Sequence, residues 1–180
     1  MVYDRRENET WVRCGMNRIA RFMKVSAEQF KTDWKGTFPD QDTSYEALKL
    51  PRRATAGSAG YDFYSPLDFV LEPGQSIKIP TGMRAQIEED WVLLLFPRSG
   101  LGFKYRLQLD NTVGVIDADY FGADNEGHIF IKMTNLSNEG RTLRVRAGEA
   151  FAQGVFLPFG ITHDDAESGV RTGGFGSTNT

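Results

Sequence analysis

Between residues 60 and 160 the sequence is a succession of short apolar segments bounded by turn residues. In order they are YDFYS, DFVLE, QSIKIP, RAQIE, WVLLLF, RLQLD, TVGVID, HIFIKMT, TLRVRA and AFAQGVFLP, and Gly, Pro, Asn or Asp marks most of the gaps. Alternation is clean in TLRVR, where Leu143 and Val145 share one face and Arg144 and Arg146 share the other. Short strands at this spacing predict an all-β antiparallel sandwich or barrel, rather than a parallel sheet with helices between its strands.

The residues that precede this region predict helix. Ser26 and Gln29 have the spacing of a capping box, in which a serine accepts from a backbone N–H one turn into a helix. Phe30 and Trp34 follow four residues apart on one face, so the pattern predicts a short amphipathic helix. The segment YEALK at 45–49 suggests a further helical turn that stops before a proline.

Both ends of the chain differ from the strand-rich region. Residues 1–15 show neither helical nor strand periodicity, and Met16 is an alternative start of translation. The tail RTGGFGSTNT is glycine-rich with few aliphatic residues, so it is either disordered or ordered by a ligand. We therefore expect an N-terminal extension at 1–50, a β domain at 51–168 and a flexible arm at 169–180.

Charge and composition restrict the class of function. The chain has 180 residues and a net charge of −3, which fits one domain and argues against a broadly basic surface for nucleic acid or anionic membranes. A single cysteine, Cys14, excludes an intrachain disulfide and fits a reducing compartment. His128 and His163 lack the helical spacing of a hydrolytic zinc site. The apolar runs are too short to span a bilayer and the charged start is unlike a signal peptide, so we expect a cytoplasmic protein.

A candidate anion site follows the most apolar segment, in the sequence PRSGLG. Arg98 offers a donor fork that matches phosphate oxygens, Ser99 adds a hydroxyl, and Gly100 lets backbone N–H groups approach closely. The sequence lacks the Walker A pattern, and a surface turn with a solvated arginine is the alternative.

Two carboxylates, Asp117 and Asp119, lie two residues apart at the end of an apolar strand in GVIDADYFG. In an extended strand they would share one face, from which a carboxylate can deprotonate water. A pair of turn acids is the alternative. Just before them, the bend at Asn111 could read a base with its backbone, although asparagine is also a good turn residue.

Three further segments carry weaker signals. Asp62 in AGYDFYS could satisfy a turn, and Gln153 in GEAFAQG could face water. In the tail, Arg171 and Phe175 offer a phosphate fork and a stacking face between glycines, with a disordered tail as the alternative.

Together these segments resemble the five ordered motifs of the trimeric dUTPase family. The match is AGYDFYS, PRSGLG, DNTVGVIDADYFG, GEAFAQGVFLP and RTGGFGSTN, in family order and spacing, across residues 51–179. The five motifs together are far more specific than any one of them.

The resemblance implies a β jelly-roll homotrimer with three active sites at subunit interfaces, each completed by the C-terminal arm of a neighbouring chain. It also implies hydrolysis of dUTP to dUMP and pyrophosphate by water attack on the α-phosphorus, which limits uracil in DNA and supplies dUMP for dTMP synthesis.

By the same resemblance Asp117 is the general base, and Tyr120 lies under the deoxyribose and excludes a 2′-hydroxyl. The other substrate-binding residues that it implies are Arg98, Ser99, Gly100, Asn111, Gly114, Gln153, Arg171, Phe175, Gly176 and Ser177. Asn111 reads uracil, Phe175 covers the base and Arg171 approaches the γ-phosphate. Mg²⁺ is held mainly by the three phosphates, with Asp62 supporting its water network and no direct protein ligand.

The sequence departs from the family pattern in two motifs. Ala150 stands where many members have arginine in the fourth motif, so one interaction near the phosphates or the first-motif acid is missing or supplied elsewhere. The stretch at 121–128 is longer than the usual turn, which leaves the local strand register open.

Two other functions remain to be distinguished from dUTP hydrolysis. A dCTP deaminase shares the fold and nucleotide class, but the complete fifth motif favours phosphate hydrolysis. A regulatory binding protein on the same scaffold would use residues 17–50 or 121–128 to contact a partner.

Overall fold

The computed structural model of the chain describes residues 17–167 and 169, and the backbone of 3–5 and 11–13. It is mostly β, with two α-helices among those residues. The first elements are β1 (Tyr3–Arg5), β2 (Trp11–Arg13), β3 (Ala20–Lys24), α1 (Ala27–Thr37), β4 (Arg52–Arg53), β5 (Tyr61–Tyr64), β6 (Phe69–Leu71), β7 (Ser76–Pro80), β8 (Met83–Ile87) and β9 (Trp91–Pro97). The remainder are α2 (Ser99–Tyr105), β10 (Leu107–Leu109), β11 (Gly114–Ile116), a 3-10 turn (Ala118–Gly122), β12 (Phe130–Asn135), β13 (Leu143–Val145) and β14 (Ala150–Pro158).

The largest sheet has the strand order β11, β9, β14, β5, β4, and a second sheet has the order β10, β12, β7. Three two-stranded sheets join β3 to β8, β13 to β6, and β1 to β2, and every pairing is antiparallel. The prediction of a β-rich antiparallel fold is thus confirmed, and each of the ten segments recognised in the sequence contains a strand.

The core lies among the inward faces of these sheets. Phe63, Leu93 and Phe151 are fully buried in the large sheet, and Ile131 and Met133 in the second. The alternation in TLRVR places Leu143 and Val145 in the core and leaves both arginines exposed, as predicted.

Helix α1 joins this core through one face. Ser26 caps it by accepting the Gln29 N–H at 3.1 Å, and Phe30 and Trp34 are buried. The reciprocal half of a capping box does not come from Gln29, because the Gln29 amide donates instead to Asp33 at 2.8 Å. Glu126, far along the chain, accepts the Ser26 N–H at 2.7 Å.

Two local features differ from what the sequence suggested. Residues 3–5 and 11–13 form a pair of strands, each too short to show a periodicity. The segment at 45–49 makes only a turn, closed by the Leu48 N–H donating to the Tyr45 carbonyl at 3.3 Å.

No helix among the described residues is long and apolar enough to cross a membrane.

Candidate active site

One group of predicted residues meets where strands β5, β14 and β9 run side by side. Asp62 lies opposite Gln153, and Gln153 lies opposite Phe96. The Arg98 Nε is 3.3 Å from Asp62 Oδ1, and the Gln153 side chain donates to the Pro97 carbonyl at 3.2 Å. We call Asp62, Arg98, Ser99, Gly100 and Gln153 the phosphate half.

The PRSGLG segment is the start of a helix rather than a simple turn. Arg98 is the N-cap of α2, and its carbonyl accepts the N–H groups of Leu101 and Gly102. The first turn of a helix has N–H groups without intrahelical partners, which suit a phosphate oxygen. A Cβ placed on Gly100 would meet nothing within 4 Å, so this turn is open on that side.

Ala150 lies on the same face of the sheet as the phosphate half, opposite Tyr64. A cation is nevertheless present nearby. The Lys49 ammonium lies 5.5 Å from the centre of the Tyr64 ring and donates to the Gly148 carbonyl at 3.4 Å. A Cβ on Gly148 would lie 2.8 Å from that ammonium, so glycine here leaves room for the lysine.

A second group of predicted residues follows strand β10. Thr112, with φ 62°, closes a tight bend in which its N–H donates to the Leu109 carbonyl at 2.9 Å, and Asn111 is exposed at the tip. The bend joins two different sheets, since β10 pairs with β12 and β11 with β9. Burial opposes ionisation of Asp110, but hydrogen bonds from Lys132 and Thr134 keep the pKa of Asp110 below its usual value.

Asp117 directly follows β11, and the chain then leaves the extended conformation. Asp119 lies in the 3-10 turn, so the prediction of two carboxylates on one extended strand was wrong. Both still line one open cleft of about 790 Å³, and the other lining residues are Gln86, Ile87, Glu89, Ala118, Phe121 and Phe159. Close packing explains the glycine at position 114, because a Cβ there would lie 3.0 Å from the Leu95 Cβ.

Tyr120 lies in the 3-10 turn with 4% of its surface exposed. Its hydroxyl donates to the His128 carbonyl at 2.7 Å and accepts from the Asn125 side chain at 2.9 Å. The hydroxyl has a single proton and this bond uses it, so the ring rather than the O–H is what Tyr120 can present to a ligand in this arrangement. We call Asn111, Gly114, Asp117 and Tyr120 the nucleoside half.

The two halves do not meet within one chain. Ile116 pairs with Leu93, which puts Asp117 beside Val92 at one end of strand β9, whereas Arg98 follows the other end. At about 3.3 Å per residue, the six residues from Val92 to Arg98 span roughly 20 Å. The Asp117 carboxylate and the Arg98 guanidinium are therefore too far apart to contact one phosphate group in a single chain.

The dUTPase family model matches residues 46–179, which is most of the chain. The chain belongs to the dUTPase family. Deoxyuridine 5′-triphosphate nucleotidohydrolase of Lactococcus lactis is 42% identical over 134 residues, which are 73% of this chain and 88% of that protein. The enzyme of the same name from Desulfitobacterium hafniense is 43% identical over 141 residues, covering 74% and 89% respectively. Like these dUTPases, the protein is a hydrolase that converts dUTP to dUMP and pyrophosphate.

Solved dUTPase structures resemble the fold as well. The Streptococcus mutans dUTPase matches with a TM-score of 0.59 and 37% identity, over 78% of this chain and 97% of that one. A mutant dUTPase of Staphylococcus bacteriophage 80alpha, solved with dUpNHpp, matches with a TM-score of 0.59 over 87% of this chain and all of that one. At 22% identity the phage protein shows the shared fold alone.

Some predicted dUTPase residues lie outside the described part of the chain: Arg171, Phe175, Gly176 and Ser177. Other residues around Tyr120 had no recognisable motif in the sequence. Asn125 and His128 hold its hydroxyl, and the only sequence signal was the unusual length of the segment that contains them. Ser26 and Asp33 reach the same segment, but no local pattern could have paired them with residues about a hundred positions away.

Proposed function

We propose that the protein is a homotrimeric dUTPase of β jelly-roll type, in which Asp117 activates the water that attacks the α-phosphorus. Each active site would combine the phosphate half of one chain with the nucleoside half of another. Asp117 would accept the proton of the attacking water, and pyrophosphate would leave from the phosphate half.

The distance between the two halves carries this proposal. Hydrolysis needs the base and the phosphate-binding groups around one substrate, and here they lie roughly 20 Å apart along strand β9. A second copy that presents its nucleoside half to the first would bring Asp117 and Arg98 to opposite sides of a single triphosphate.

The outer face of the large sheet supports association. Residues on β11, β9 and β14 that lie opposite one another, or two apart, share this face. Five of them are apolar and at least partly exposed in the single chain: Val92, Leu94, Val115, Val155 and Leu157. Toward the Arg98 end of β9, the same face continues through Phe96 to the polar Gln153. A continuous apolar sheet face in a hydrolase is typical of a surface that another subunit covers.

We propose Mg²⁺ as the cofactor, bound mainly through the substrate. The described residues bring no three His, Cys, Asp or Glu side chains together in a metal-ligating cluster, whereas magnesium readily combines phosphate oxygens with water. Asp62, in the phosphate half, would accept hydrogen bonds from that water. The ion would neutralise charge on the triphosphate.

Selection of the nucleoside would rest on the other half. The exposed bend at Asn111 would hydrogen-bond the uracil edge. The Tyr120 ring would lie against the deoxyribose and would leave no room for an added 2′-hydroxyl. The arm at 169–180 would close over the nucleotide, with Phe175 on the base and Arg171 near the γ-phosphate.

Subunit complementation tests the shared site. Asp117→Asn and Arg98→Ala chains, each carrying a different affinity tag, would be expressed together and purified through both tags. In a mixed trimer with shared sites, one interface brings together an intact Asp117 and an intact Arg98. Trimers selected through both tags should therefore have about a third of the wild-type activity, while either variant alone stays inactive.

A complete lack of activity in the mixed trimers would contradict the shared site. If each chain held a complete site, every subunit of the mixed trimer would carry a defect and no activity would return.

Hydrolysis in ¹⁸O-labelled water tests the attacked atom in wild-type enzyme, because attack on the α-phosphorus puts the label in dUMP. Label in pyrophosphate would contradict that step.

A further inference from the structure

The segment after the 3-10 turn is tightly folded onto Tyr120. We call residues 121–128 the support loop. Within it the Glu126 N–H donates to the Ala123 carbonyl at 2.8 Å and the Gly127 N–H donates to the Asn125 side chain at 3.2 Å. Glu126 and Gly127 have φ of 58° and 68°. A Cβ on Gly127 would lie 2.6 Å from the Tyr120 carbonyl oxygen, so the loop packs directly against the tyrosine backbone.

Helix α1 holds this loop from outside. Ser26 donates to Glu126 twice, with its N–H and its hydroxyl, each at 2.7 Å. These two bonds lower the pKa of Glu126, so the contact is made to a carboxylate. The Asp33 Oδ2 lies 2.5 Å from Nδ1 of His128, which forms the end of the loop.

The ring of His128 is locked in one tautomer by these contacts. The Gly82 N–H donates to His128 Nε2 at 2.7 Å, so Nε2 is unprotonated and the ring proton is on Nδ1, where it donates to Asp33. The ring is fully buried. His128 therefore joins α1 to the strand region at Gly82 while its carbonyl accepts from Tyr120.

Strand β8 provides a third anchor for the loop. The Arg84 guanidinium stacks 3.6 Å from the centre of the Phe121 ring and donates to the Phe121 carbonyl at 2.5 Å. It also lies 3.9 Å from Glu126. The support loop is thus held at its beginning by β8 and at its end by α1.

We propose that Asn125 is a specificity-positioning residue, which together with the His128 carbonyl fixes the Tyr120 ring in the position that rejects a 2′-hydroxyl, and that Asp33 of α1 supports it through His128. The inference rests on the proposed role of Tyr120. A ring that rejects one oxygen atom by contact must not shift by a few tenths of an ångström, so the groups that hold its hydroxyl set the selectivity.

The direct test measures kcat and KM of the full-length enzyme with dUTP and with UTP. Asn125→Leu removes all three side-chain hydrogen bonds while keeping the number and branching of the heavy atoms. The ratio of kcat/KM for dUTP to that for UTP should fall roughly three- to tenfold, the effect of one net hydrogen bond. Asn125→Asp still accepts the Gly127 N–H but cannot donate to the Tyr120 hydroxyl, whose single proton goes to the His128 carbonyl, so it should lower the ratio as Asn125→Leu does.

A double-mutant cycle shows whether Asn125 acts through the tyrosine hydroxyl. Tyr120→Phe should lower the ratio to a similar extent, and adding Asn125→Leu to it should change the ratio less than about twofold. Additive effects, or an equal loss of kcat/KM for both nucleotides, would overturn the inference.

Two substitutions of Asp33 test the same contacts from helix α1, and they replace Asn125→Leu if that variant does not fold. Asp33→Asn keeps an acceptor for the His128 ring N–H and should behave as wild type, whereas Asp33→Ala should lower the selectivity ratio. Equal ratios in these two variants would contradict the role of α1. Failure of the underlying role of Tyr120 is recognised separately, because Tyr120→Ala would then leave the ratio unchanged.

Discussion

Among the single residues, Asp117 has the most direct chemical role that we propose. We expect Asp117→Asn to keep nucleotide binding and lose about a hundredfold or more in kcat, because the amide keeps the shape of the side chain but cannot accept a proton from water. Initial rates with dUTP and equilibrium binding of a non-hydrolysable analogue would measure the two effects.

The control lies a few residues away. Asp124 is an exposed carboxylate on the support loop, so Asp124→Asn removes the same charge without touching the cleft. Wild-type turnover in Asp117→Asn, or an equal loss in Asp124→Asn, would refute Asp117 as the base.

His128 makes the stability of the fold depend on pH. Burial lowers the pKa of His128 below its usual 6.5, even though Asp33 and Glu126 favour the charged form. Below about pH 6.5 the unfolded chain binds a proton that the folded chain resists. The free energy of unfolding therefore decreases as the pH is lowered, by up to about 1.4 kcal/mol per pH unit. We expect a lower Tm at pH 5.5 than at pH 7.5.

The chain has only one other histidine, which supplies a matched control. His163 is exposed, so His163→Gln should keep the pH dependence, whereas His128→Gln should reduce it. If both variants lose stability on acidification as the wild type does, another group is responsible.

At the scale of elements, Ser26 joins helix α1 to the support loop through its two hydrogen bonds to Glu126. Ser26→Ala removes the N-cap of α1 and one of its two bonds to Glu126. We expect the free energy of unfolding to fall by about 1 to 2 kcal/mol, measured by denaturant titration. Thr32→Ala is the control, because that exposed hydroxyl donates only to the Glu28 carbonyl of its own helix. A loss in the control as large as in Ser26→Ala would argue against the cap.

The strands were predictable because alternation and turn residues are local signals. The conformation after β11 was not, since the 3-10 turn at Asp119 depends on the fold of the support loop that follows it. Helix α2 was missed because two glycines in PRSGLG favour a turn, while the backbone bonds to the Arg98 carbonyl form only in the folded chain.

At the scale of the whole molecule, the resemblance predicted sites shared between chains, but no local sequence pattern showed how far apart Asp117 and Arg98 lie within one chain. The five motifs supplied the candidate residues through resemblance. Only the pairing of β9 with β11 shows that Asp117 and Arg98 lie at opposite ends of one strand, because register is a property of the sheet.

The C-terminal arm belongs to the same scale, since it would complete the site of a neighbouring chain. A chain truncated after Ser168 should form a stable trimer and bind dUMP, yet hydrolyse dUTP far more slowly, because it loses the contacts of Arg171 and Phe175. Sedimentation, dUMP titration and initial rates would measure these properties. Full activity of the truncated trimer would refute the role of the arm.

A Phe175→Trp substitution in the full-length enzyme would test directly whether this residue stacks on the uracil base. We expect its indole emission to change when a non-hydrolysable dUTP analogue and Mg²⁺ bind. The unsubstituted enzyme, which contains three other tryptophans, sets the background. An unresponsive probe at saturating analogue would count against stacking at this position.

The contacts between α1 and the support loop also bear on how long the protein stays folded. Ser26 and Glu126 are 100 residues apart in the chain, and Asp33 and His128 are 95 apart. Because closing such long loops costs entropy before the contacts are gained, we expect these contacts to form late, after the sheets have brought the two regions together. We therefore expect Ser26→Ala to speed unfolding in stopped-flow experiments and to leave the refolding rate nearly unchanged. The helix would then extend the lifetime of the native state without hastening its formation.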